Sequence, residues 1–144
     1  MNRERVVGSM NVLINVDVDD LEAAVSFYMA GFGLEIGRRF GDAGVELLGG
    51  SSPIYLLKKD AGTSVSAHST QKRSYDRHWT PVHLDFVVEK IERAVDRALS
   101  AGAVLEAPIK TSRWGRLGLL SDPFGHGFCL VEFLGRGYDE IASK

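Results

Sequence analysis

The amino-acid sequence predicts an α+β fold built from two tandem βαβββ units, and three observations carry that reading. A strand-then-helix pattern over 12–31 returns seventy residues later over 83–102. Val18, Glu22, Ala24 and Val25 recur at the same offset as Val88, Glu92, Ala94 and Val95, so the segments share residues as well as period. After each helix come three short apolar or alternating stretches broken by glycine.

Val12, Ile14, Val16 and Val18 alternate with Leu13, Asn15 and Asp17, the period of a half-buried strand. Asp19 or Asp20 then offers a side-chain oxygen to the free amides of a helix start. Leu21, Ala24, Val25 and Tyr28 follow at helical spacing until Gly31-Phe32-Gly33 ends the run. Leu34 to Phe40, Val45 to Leu48 and Ile54 to Lys58 read as the remaining strands of the first repeat. The second repeat has a strand over His83 to Val88 and a helix carrying Ile91, Ala94, Val95 and Leu99, closed by Ala101-Gly102. Its last strands fall at Val104 to Leu105, Arg116 to Leu120 and Phe128 to Phe133. Ile14, Val16, Leu21, Val25, Leu84, Phe86, Ile91 and Val95 are the expected core between helix and sheet.

The domain division that follows is one unit over 11–144, with repeats at about 11–60 and about 81–134. Residues 61–80, rich in Ser, Thr and charge, form the linker, long enough to be functional or mobile. Residues 1–10 read as a flexible N-terminal extension and 135–144 as a C-terminal tail.

In 144 residues, 44% are hydrophobic and 25% charged, ordinary for one soluble globular domain. A net charge of −2 supplies no basic footprint for nucleic acid. No run approaches the roughly 20 apolar residues that span a bilayer. Cys129 is the only cysteine, which excludes an intramolecular disulfide and points to a reduced, cytoplasmic setting.

The segments DLEAAVSFY, GFGLEIG and SDPFGHGFCLVEF resemble the vicinal oxygen chelate superfamily, which includes glyoxalases, bleomycin-resistance proteins, extradiol dioxygenases and fosfomycin-resistance enzymes. The similarity covers about 11–133. It implies a curled mixed sheet around a cleft, the glyoxalase/bleomycin resistance fold, and a homodimer that covers apolar sheet edges. It also implies a divalent metal held by one residue from each of four strands, usually His or Glu. Carried onto this sequence, those places fall at Leu13, Tyr55, His83 and Cys129, of which only His83 is a conventional ligand. The expectation is therefore no metal and no other cofactor, with a divalent metal as the alternative.

His83 is the candidate acid–base residue, with Asp85 two positions on and able to orient its imidazole; the plain alternative is a polar strand face open to water. Asn15, Asp17, Tyr55 and Cys129 are candidate ligand-binding residues on the same faces, although Cys129 also reads as a small core hydrophobe. Trp114 and Arg116, with Arg113 beside them, offer stacking and bidentate bonding to an aromatic or anionic ligand, or ordinary packing. Tyr75, His78 and Trp79 read as a lid or an exposed linker, and His68 and His126 as surface residues without a role. The function expected is a small-molecule-binding protein lacking the usual metal ligands. The alternative is an enzyme, a glyoxalase-like lyase or isomerase or a dioxygenase, that uses His83.

Overall fold

The computed structural model describes residues 10–143, so all of the expected N-terminal extension except the exposed Met10 lies outside the described residues. The first repeat runs β1 (Ile14–Val18), α1 (Leu21–Phe32), β2 (Glu35–Arg39), β3 (Gly44–Leu48) and β4 (Ile54–Lys58). The second runs β5 (Leu84–Val87), α2 (Ile91–Ala101), β6 (Val104–Thr111), β7 (Gly115–Ser121) and β8 (Gly127–Phe133), and a 3₁₀ turn follows at Gly137–Glu140. Each repeat makes a four-stranded mixed sheet, ordered β1-β4-β3-β2 and β5-β8-β7-β6. β1 pairs parallel with β4 and β5 parallel with β8; the other pairings are antiparallel. No helix among the described residues is long and apolar enough to cross a membrane.

Local chemistry starts the two helices differently. Asp20 caps α1 by accepting the Ala23 N–H at 3.1 Å, and Gly33, at φ 70°, ends it through a bond to the Met29 carbonyl. Lys90 stands where Asp20 would be and offers α2 no side-chain cap. Glu132 on β8 takes the Ile91 N–H instead, at 2.9 Å, so this helix start is satisfied by tertiary structure.

The two sheets are not joined edge to edge, since neither β1 nor β5 has a partner on its second side. The repeats meet through their helices and aromatic side chains. Gly31 of α1 lies so close to Ala98 and Ala101 of α2 that an added Cβ would sit 3.4 Å from the Ala101 methyl. Phe32 packs 4.6 Å from Phe86 and 5.2 Å from Phe128, ring centre to ring centre, which ties α1 to the second sheet. Of the expected core, Leu21, Val25, Ile91 and Val95 are buried, whereas Ile14, Val16, Leu84 and Phe86 are half-buried. Those four sit on the unpaired edge strands, where the core opens.

Strand ends differ from the sequence pattern by a residue or two in most places, and the starts of β1 and β5 and the end of β6 have a visible cause. β1 and β5 begin at Ile14 and Leu84, where pairing with Ile54 and Phe128 begins, so Leu13 and His83 sit just before their strands. The Val12 carbonyl accepts from the Ser52 hydroxyl at 2.8 Å rather than from a strand. β6 runs to Thr111 although Pro108 interrupts its apolar pattern; as a sheet edge with two register shifts, it tolerates a residue lacking an N–H.

The buried junction predicts a contrast between two leucines. Leu130 is 1% exposed and Leu13 57% exposed. By denaturant unfolding, Leu130→Ala is expected to cost about 2–5 kcal/mol and Leu13→Ala within about 0.5 kcal/mol of nothing.

Candidate functional site

Where β1 and β5 fail to pair, a cleft of about 620 Å³ opens between the repeats. Tyr28, Phe86, Phe124 and Phe128 form its apolar interior. Leu13, Asn15 and Asp17 line it from β1, and His83 from the start of β5. The linker forms a further wall. Arg73 bonds Asp17 at 2.9 Å, and the Tyr75 hydroxyl donates to the Lys59 carbonyl at 2.6 Å. Arg77 pairs with Glu106 on β6 at 2.8 Å, so this wall is fastened to both repeats.

His83 and Asp85 stand together on the second sheet, with the Nδ1 atom 3.1 Å from Oδ1. Asp85 is in register with Cys129, whose thiol burial pushes up to about 11, helped by the Asp85 charge and hydrogen bond. Potential ligand atoms of His83, Asp85 and Cys129 lie within 4.8 Å of one another. On the first sheet the matching row is Asn15, Tyr55 and Glu46, against Asp85, Cys129 and Leu119 on the second. Tyr55 and Cys129 thus occupy equivalent positions. The rows differ in chemistry: the Tyr55 hydroxyl donates to Glu46 at 2.9 Å, and Arg38 grips the same carboxylate at 3.0 and 2.7 Å.

Asp85, Tyr55 and Cys129 do not line the cleft. Trp114 lies farther away, tilted against Tyr138 at 4.9 Å and Phe133 at 6.2 Å, while neighbouring Arg113 bonds the Glu140 carbonyl. Arg116 turns to the helix side of its sheet and pairs with Glu92 on α2, so the structure does not bring it together with His83.

Two groups without a role in the sequence pattern emerge. Glu46 is buried and charged inside the apolar run Val45 to Leu48, and that misfit in the alternation was its signal. His126, expected at the surface, is half-buried and lines the cleft. Its Nδ1 lies 2.8 Å from Oδ2 of Asp122, and the same oxygen accepts the Tyr28 hydroxyl at 2.5 Å. Oδ1 accepts the backbone N–H groups of Phe124 and His126 at 2.8 and 2.9 Å. Burial pushes the Asp122 carboxyl upward, but bonding and charge from His126, with the Tyr28 bond, outweigh it and leave it below its ordinary range. The Tyr28 hydroxyl is correspondingly held well above its own, by burial first and then by Asp122. Asp-x-x-x-His within the turn was the legible sign of this pair.

The sequence model described as Glyoxalase-like domain matches residues 13–131. The chain belongs to the glyoxalase-like domain family. This glyoxalase-like domain has the glyoxalase/bleomycin resistance fold, and its sheet is not closed. A variant of the fosfomycin resistance protein FosX from Listeria monocytogenes, in complex with Mn(II) and 1S,2S-dihydroxypropylphosphonic acid, is 19% identical. It has a TM-score of 0.68 over 94% of this chain and 100% of its own. Lactoylglutathione lyase from Agrobacterium tumefaciens is 20% identical, with a TM-score of 0.56 over 87% of this chain and 94% of its own. TioX from Micromonospora sp. ML1 is 18% identical, with a TM-score of 0.62 over 88% and 98%. No curated protein sequence matches the chain.

The four places that the family resemblance gives for a divalent centre hold few donors here: Leu13 has no donor atom and Tyr55 is committed to Glu46. The donors that do stand together are His83, Asp85 and Cys129, a mixed imidazole, carboxylate and thiol set.

The Glu46 cluster predicts a pH effect. Hydrogen bonds from Arg38 first, and from Tyr55, lower the Glu46 carboxyl from 4.5 to about 2, against the opposing effect of burial. A depressed folded value means that its contribution is complete above about 4.5 and is lost as pH falls towards about 2. In thermal unfolding, the gap between wild type and Glu46→Gln is expected to close across that window.

Proposed function

We propose that this glyoxalase-like domain binds a small organic molecule in the cleft between its repeats without a tightly held divalent metal. The observation that carries the reading is the cleft itself, with four aromatic rings inside and Asn15, Asp17 and His83 along its sides. Its volume of about 620 Å³ suits a drug-sized ligand. Aromatic walls give affinity by excluding water, and the few polar groups set orientation. Trp114 and Arg116 have no part in this reading; Tyr55, Asp85 and Cys129 act from behind the His83 and Asn15 positions.

The reading includes a homodimer. The helix-free face of the second sheet exposes Val87, Leu119 and Phe133, and that of the first exposes Leu48, apolar surface that a second copy can cover. A cytoplasmic setting accords with the free, buried Cys129.

A second reading, an enzyme of the glyoxalase-like lyase, isomerase or dioxygenase type, is favoured by the His83–Asp85 hydrogen bond. A carboxylate at Nδ1 fixes the imidazole tautomer and the orientation of the ring, as proton transfer requires.

Sedimentation and metal analysis of the purified protein separate the readings. A dimer is expected, with substoichiometric Ni, Zn, Mn and Fe and a melting temperature that EDTA leaves unchanged. A monomer contradicts the assembly. Near-stoichiometric metal that is lost in His83→Ala contradicts the metal-free cleft and favours the enzyme.

A further inference from the structure

Four donors converge on the Asp122 carboxylate: the Tyr28 hydroxyl, the His126 Nδ1, and the N–H groups of Phe124 and His126. The Asp122 side chain is wholly buried, while 34% of the His126 side chain remains accessible at the cleft wall. An ionised carboxylate accepts only, so the Nδ1 atom carries a proton, and in the neutral form of the ring Nε2 carries the lone pair. With Nδ1 committed inward, the ring edge left to the cleft is the one bearing Nε2. Around the imidazole stand the Tyr75 ring, 6.4 Å away between centres, and the Arg77 guanidinium, packed against Gly127. His78 and His83 share the cleft with the Asp17–Arg73 pair.

We propose that His126 is the proton-accepting group of this cleft, positioned by Asp122, and that the ligand class it selects is a planar molecule with an acidic hydroxyl, a phenol or an enol. The proposal rests on the cleft being the binding site. The aromatic interior takes the planar body, and the hydroxyl meets Nε2. In the transfer the ligand O–H bond breaks and the proton moves to Nε2. The electron pair stays on the ligand oxygen as phenolate or enolate, and Asp122 balances the imidazolium. Unlike a surface histidine, His126 has its ring fixed before the ligand arrives, so little orientation is lost on binding.

The test uses 4-nitrophenol, whose visible absorbance reports its ionised fraction, on the whole chain, together with nitrogen-edited NMR of the imidazoles. The expected result is an Nδ1–H tautomer at His126 and saturable binding that enriches the phenolate form relative to buffer at the same pH. His126→Gln should weaken binding roughly tenfold or more, the scale of a hydrogen bond to a charged group, and remove the phenolate enrichment. His68→Gln should change neither. Binding and ionised fraction unaltered by His126→Gln, or an Nε2–H tautomer in the wild type, overturn the role of His126 and leave the cleft standing. No saturable binding of 4-nitrophenol by the wild type overturns the proposal, and the cleft reading falls with it only if the neutral probe benzyl alcohol also fails to bind. The tautomer is read on the wild-type protein, so a poorly folding variant leaves the proposal open to refutation.

Discussion

The cleft depends on how a buried charge is held at the junction of the two repeats. Placing a carboxylate in an apolar interior costs several kcal/mol unless its lone pairs are filled. Asp122 meets that requirement with partners from two directions. Its own turn gives two backbone N–H groups and an imidazole, and α1 of the other repeat gives the Tyr28 hydroxyl. The Asp122 N–H also closes the turn on the His126 carbonyl at 2.8 Å. Because Tyr28 comes from the first repeat and the turn from the second, the same contacts fix the spacing of the repeats and with it the cleft.

Duplication supplies the frame, and divergence supplies the chemistry. Both repeats share one strand order, and the row Asn15, Tyr55, Glu46 answers to Asp85, Cys129, Leu119. In the first row the hydrogen-bonding capacity is consumed internally, with Arg38 and Tyr55 turned onto Glu46. In the second, His83 and Asp85 face each other beside the buried Cys129 thiol and the apolar Leu119. Only the second row brings candidate donors together, at His83, Asp85 and Cys129. Polar side chains also gather at the cleft edge, His83 just before its strand and His126 in a turn, where they meet solvent without breaking a ladder.

Local pattern made much of the fold legible. The alternation around Ile14 and Val16, the helical spacing from Leu21 to Tyr28 and the recurrence at Val88, Ala94 and Val95 are properties of single segments, and the structure has the elements there. What escaped was tertiary in origin. The α2 cap comes from Glu132, about forty residues away in sequence, and no local signal announces it. β6 extends past Pro108 because it is an edge, which the strand order decides. Arg116 sits on a strand whose facing could not be known until Gly118 was seen against Val95 and Ile91. His126 was hidden by its turn: Asp-Pro-Phe-Gly reads as a surface corner, and only the packing of Tyr28 and the linker against it makes that corner a wall.

The account turns on the gap between β1 and β5 being the place where an organic molecule binds, without metal. Amide chemical-shift mapping with neutral aromatic probes, indole and benzyl alcohol, in buffer containing EDTA tests this most directly. The account predicts saturable shifts concentrated at 12–17, 83–86 and 124–128, the segments that line the cleft. Shifts gathered around Trp114 and Tyr138, or around Phe40 and Tyr55, or shifts that appear only when a divalent metal replaces EDTA, contradict it.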